Sequence, residues 1–115
     1  MANTFKSYQL KAVGTTATNV YTANAGTQTT VIGMTVSNLI STPIDCNVMM
    51  CRPSGTYAGH TGNVYIVKGA TVAPGGSLVP IGGDQKLVLQ VGDYLQVNTS
   101  VASAADVILS VLEIT

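Results

Sequence analysis

An all-β, single-domain antiparallel β-sandwich, jelly-roll-like or Ig-like, with about eight or nine short strands, is the fold class the sequence predicts. Three observations carry it. Apolar and polar residues alternate with a period of two along most of the chain, clusters of Gly, Pro, Asn and Ser interrupt that alternation at short intervals, and no segment makes a convincing helix. The 115 residues suit one domain, residues 1–115, with no internal repeat of the kind a solenoid or propeller needs.

In chain order, "KSYQLKAV" predicts a first strand with Tyr8, Leu10 and Ala12 on one face, and "TNVYTA" a short second one. The surrounding "GTTATNVYTANAGT", rich in Thr, Ala and Asn, suits an edge or contact surface better than a core. In "TTVIGMTVSNL", Ile32, Met34 and Val36 fall on one face and Val31, Thr35 and Ser37 on the other, with Gly33 placed for a bulge. Thr42-Pro43 turns the chain into "IDCNVMMC", where Ile44, Cys46, Val48 and Met50 alternate against Asp45 and Asn47.

The next twelve residues, "RPSGTYAGHTGN", lack periodicity and predict an exposed contact loop carrying Arg52, Tyr57, His60 and Asn63. "VYIVKGATV" resumes the alternation, and "APGG" is a turn in which Pro74 sets φ ahead of the glycines. "SLVPI", "QKLVLQV" and "YLQVNTS" follow, joined by structural turns at Gly82-Gly83-Asp84 and Gly92-Asp93. "ADVILSVLEI" fits a helical stripe through Ala105, Ile108, Leu109 and Leu112. Its Val and Ile content and the alternation of Ile108, Ser110, Leu112 and Ile114 favour a strand.

Charge is scarce. Only 9% of residues are charged, against about 25% in an ordinary soluble domain. Five basic residues balance five acidic ones without a run of either, so no footprint for nucleic acid or an anionic membrane is present. "MANTFKSYQL" lacks the apolar segment of a signal peptide, and no run reaches a membrane span. The expectation is a chain made in the cytoplasm without membrane or nucleic-acid partners. Cys46 and Cys51, five apart, would point to opposite faces of one strand, which excludes a disulfide between them and predicts two buried or half-buried thiols.

No cofactor, metal or catalytic set is expected. A zinc site needs about four ligands and His60 is the sole histidine. His60 sits in a Gly-rich loop without a nearby acid to orient it, so a solvated or contact role outweighs service as a base for Ser54 or Cys51. Asp84 and Asp93 each follow a glycine at a strand junction and read as turn residues rather than a glycosidase pair. "IGGDQKLVL" lacks both the Gly-Lys-Ser/Thr ending and the helix of a phosphate loop. Carbohydrate binding or host recognition is the alternative, with Tyr57 beside Gly59-His60 as its aromatic candidate. Few charges and unguarded edges instead suggest a self-associating subunit.

The segments "YIVKGATVAPGGSLVPIGGDQKLVL", "GDYLQV" and "SAADVILSVLEI" carry a resemblance across about residues 30–115. There the chain resembles small virion structural proteins of tailed bacteriophages, particularly those infecting marine cyanobacteria. The resemblance implies a non-enzymatic virion component. Its first expectation is a capsid decoration or cement protein, a homotrimer bridging the major capsid protein; the alternative is a neck, tail or baseplate component.

Overall fold

In the computed structural model, residues 2–53, 59–82 and 85–115 are described. Among them nine strands form two antiparallel sheets: β1 (Asn3–Val13), β2 (Thr18–Thr22), β3 (Gln28–Asn38), β4 (Ile44–Arg52), β5 (Gly62–Val72), β6 (Ser77–Ile81), β7 (Leu87–Leu89), β8 (Tyr94–Thr99) and β9 (Ala105–Ile114). One sheet has the order β1-β9-β3-β6, with β7 also pairing to β3; the other has the order β2-β8-β4-β5. The first and last strands are thus neighbours, and the chain passes repeatedly from one sheet to the other. This is the jelly-roll member of the two predicted alternatives.

The ambiguous C-terminal segment is a strand, and it lies between β1 and β3 with partners on both sides. Its core face is Ala105, Val107, Leu109 and Val111, all buried, whereas Ile108 and Ser110 are exposed on the opposite face. Met34 and Val36 of β3, Ile44, Cys46 and Val48 of β4, and Leu95 and Val97 of β8 complete the interior. Each large side chain enclosed this way contributes about 2 kcal/mol relative to exposure.

Two face assignments change at bulges. The pairing of β3 with β9 shifts between Val31 and Gly33, at the expected bulge, and the extra residue reverses the phase. Val31 therefore joins Met34 and Val36 in the core, and Ile32 is left half-buried. In β1 the register shifts between Leu10 and Val13. Ala12 there has φ 54°, its N–H donates to Asp106 Oδ1 at 2.9 Å, and it is exposed rather than grouped with Tyr8 and Leu10.

Turn chemistry follows the sequence more closely. Gly75 has φ 72° and Gly76 N donates to Ala73 O at 2.9 Å, so Ala73-Pro74-Gly75-Gly76 is a β-turn with Pro and Gly at the positions that demand them. Gly92, at φ 90°, takes the same place in the turn closed by Asp93 N to Gln90 O, 3.0 Å. Gly82 makes an isolated bridge to Gln85, as a corner residue should. Gly83 and Asp84 lie outside the described residues. No helix is long and apolar enough to cross a membrane among the described residues.

Candidate functional site

The two edges of the sandwich differ in chemistry. Where β1 of one sheet meets β2 of the other, Glu113 on the inward face of β9 is 7% exposed and accepts from three directions. Lys6 Nζ lies 2.9 Å from its Oε1, while the hydroxyls of Tyr8 and Tyr21 donate to Oε2 at 3.1 and 2.6 Å. Since the single Tyr21 hydroxyl proton goes to the carboxylate, Thr29 Oγ1 at 2.8 Å is its donor. The Tyr8 and Tyr21 rings stack at a tilt, 4.8 Å apart.

The electrostatics follow this arrangement. The Tyr21 hydroxyl and Lys6 hold Glu113 below the ordinary carboxylate value of 4.5. Burial, reinforced by Glu113, pushes Tyr21 up to about 12. Hydrogen bonding to Glu113 raises Lys6 in turn. No motif in the sequence marks this network. The usable signal was the phase of β9: an acid on the same alternation as Val107, Leu109 and Val111 must be buried, and a buried acid needs partners.

On the opposite side β5 faces β6, and a groove of about 550 Å³ with mixed polar and apolar walls remains, lined by Ile66, Val79, Pro80, Ile81, Gly82, Gln85 and Leu87. Val79 is 60% exposed, and Val64 and Tyr65 on β5 and Val88 on β7 are also exposed. This is apolar surface of the kind that contacts other molecules.

Arg52, expected in the exposed contact loop, takes part in an ion pair. Arg52 ends β4 half-buried, with Nε 3.0 and 3.1 Å from the two oxygens of Asp93 and Nη2 2.8 Å from Oδ2. Asp93 is wholly buried and also accepts from Gln90 N at 2.9 Å, while Arg52 is half-buried rather than exposed and is held by Asp93. His60 and Asn63 are exposed; His60 meets Arg52 through its backbone carbonyl at 3.5 Å. Tyr57 lies outside the described residues.

Cys46 and Cys51 are both free and buried, Cys46 within the core cluster and Cys51 outside it. They lie on opposite faces as the spacing predicts. Burial pushes Cys46 up to about 11 and raises Cys51 as well, which keeps both thiols protonated and unreactive. No group of three or more His, Cys, Asp or Glu suited to a metal occurs among the described residues.

No protein-family model and no curated protein matches the chain. Among solved structures, a chain of Bacillus endospore appendages, described as a novel family of disulfide-linked pili, aligns over 99% of this chain and 87% of its own length, at TM-score 0.50 and 15% identity. A chain of infectious bursal disease virus, Gt strain, aligns over 98% of this chain and 30% of its own length, at TM-score 0.45 and 10% identity. The likeness to the appendage chain establishes a shared β-sandwich fold for a polypeptide of different sequence.

Proposed function

We propose that this chain is a non-enzymatic structural subunit of a bacteriophage particle, acting as a decoration or cement protein that bridges major capsid subunits on the head. The observation that carries the reading is exposed apolar side chains along strands at the sheet margins, Val64 and Tyr65 on β5, Val79 on β6 and Val88 on β7, on a chain with only 9% charged residues. Contact surfaces that exclude charge and include aliphatic and aromatic residues suit permanent assembly. The resemblance of residues 30–115 to phage virion proteins supplies the particle. The fold is compatible with it, since the appendage chain that shares it comes from an assembled object.

The cross-linking chemistry of the appendages does not carry over. Those pili are described as disulfide-linked, whereas both cysteines here are enclosed within the subunit. Cohesion in this chain would come from apolar burial at seams, at about 25 cal/mol per Å² before association costs. The test is copy number in purified particles, by quantitative mass spectrometry against the major capsid protein. Hundreds of copies, with particles lacking the protein breaking sooner on heating or osmotic shock, is the expected result. A few dozen or fewer places the protein in the neck, tail or baseplate, and absence from particles overturns the reading.

A further inference from the structure

We propose that the free edge of β1 is a self-recognition surface on which two copies of this chain join through antiparallel β1–β1 pairing about a two-fold axis at Ser7. The first ground is regularity. The other sheet margins are interrupted or short: the β2–β8 register shifts between Asn19 and Tyr21, the β4–β5 register shifts twice, β6 contains Pro80 with a further shift against β3, and β7 is 3 residues long. β1 pairs with β9 without a shift from Asn3 to Leu10. A long regular edge is a template for another strand.

The second ground is the orientation of the backbone groups. Ala2 and Thr115 exchange both hydrogen bonds, N to O at 3.0 Å in each direction, and the register continues through Thr4–Glu113, Lys6–Val111, Tyr8–Leu109 and Leu10–Val107. Alternation in an antiparallel ladder then turns the N–H and C=O groups of Asn3, Phe5, Ser7 and Gln9 away from β9, toward the unpaired side. Phe5, on that same set, is 74% exposed, more than any other large hydrophobic side chain among the described residues. A second β1 strand would satisfy this row of groups and cover Phe5.

Charge and ladder length select the register. A two-fold axis perpendicular to the sheet keeps inward faces aligned, so it passes midway between one residue and the same residue of the second copy. Centred on Lys6, it sets two ammonium groups directly opposite, with Cα atoms about 4.5 Å apart. Centred on Phe5, it shortens the ladder within β1 to residues 3–7, and centred on Tyr8 to residues 6–10. Centred on Ser7, the ladder spans residues 4–10, with Ser7 opposite Ser7, Phe5 opposite Gln9 and Lys6 opposite Tyr8 of the second copy. This register avoids like-charge contact and makes an isologous, self-limiting pair. It favours a two-fold pair over the three-fold ring expected from the sequence.

The pairing concerns the isolated chain, so its failure is distinct from failure of the particle role, which copy number tests. The purified protein should sediment as a concentration-dependent dimer. Ser7→Pro removes the N–H at the axis on both copies and should weaken association by at least about tenfold with the circular dichroism of the folded chain retained, because proline is tolerated where an edge strand's N–H faces outward. Ser7→Cys provides an independent readout. Hydrogen-bonded antiparallel partners lie about 5.5 Å apart at Cα, within disulfide reach, so mild oxidation should trap a covalent dimer. Phe5→Cys and Gln9→Cys, whose own symmetry mates would be roughly 14 Å away, should not. The buried native thiols keep the background low. A monomer at all concentrations, a trimer or open ladder indifferent to Ser7→Pro, or Ser7→Cys cross-linking no faster than Phe5→Cys overturns the proposal.

Discussion

The β1/β2 edge of the sandwich and the β5/β6 edge solve the same problem, how to finish two stacked sheets, with opposite chemistry. At the first, one buried carboxylate gathers Lys6, Tyr8, Tyr21 and Thr29 into a connected polar set spanning both sheets. At the second, Ile66, Val79, Pro80 and Leu87 line an open groove together with Gly82 and Gln85, and Val79 and Val88 stand exposed beside it. The difference teaches a division of labour. A satisfied polar network holds β1 in one geometry and presents its outer edge in fixed register, whereas the apolar side has area to offer and no internal partner.

The strongest way to break this contrast is to remove the shared acceptor. Glu113→Ala removes the acceptor shared by Lys6, Tyr8 and Tyr21, leaves the Tyr21 hydroxyl with Thr29 alone, and should lower unfolding free energy in urea by about 2 kcal/mol. A loss no larger than that of a surface substitution would show that the network is not what closes the edge. Tyr21→Phe removes one hydroxyl while keeping the ring stack, and about 1.5 kcal/mol is expected. It should also let Glu113 titrate nearer its ordinary value, since the Tyr21 hydrogen bond is the largest influence lowering it.

The pH dependence has a defined sign at each end. Glu113 is lowered on folding, so its contribution is present above 4.5 and is lost as pH falls through its folded value. Tyr21 is raised from 10.0 to about 12, so its contribution is present below 10 and is lost as pH rises across that interval. Denaturation curves at stepped pH should therefore show acid and alkaline losses that Glu113→Gln and Tyr21→Phe respectively flatten. Identical profiles in wild type and variants would remove the network from the account. The smallest effect belongs to the open side. Val79→Ser should change stability by no more than about 0.5 kcal/mol while reducing binding of an apolar dye. A large loss of stability would mean that this groove is core.

Much of the architecture was legible because short-range rules govern it. The Pro74-Gly75 turn, the Gly33 bulge and the strand character of 105–114 rest on backbone freedom and side-chain branching, which neighbours in sequence report. Phase was less legible. The alternation of Ile108, Ser110, Leu112 and Ile114 identified a strand but marked its outward-facing set, because period two is the same on both faces. Ile32 was grouped with Met34 because a bulge was allowed without following its reversal of the faces.

The residues of greatest consequence were visible only as charges. Arg52 read as a loop residue and Asp93 as a turn residue, and they meet across 41 positions of sequence. Glu113 meets Lys6 and Tyr8 from the other end of the chain. By itself, the sequence determined an all-β chain with little charge, its turns, and two thiols on opposite faces. Tertiary structure alone decided which face of each strand is the interior, which acids are paired, and which edge stays regular and free. Those outcomes depend on contacts between residues far apart in the chain, where burial sets a cost that only a particular distant partner can offset.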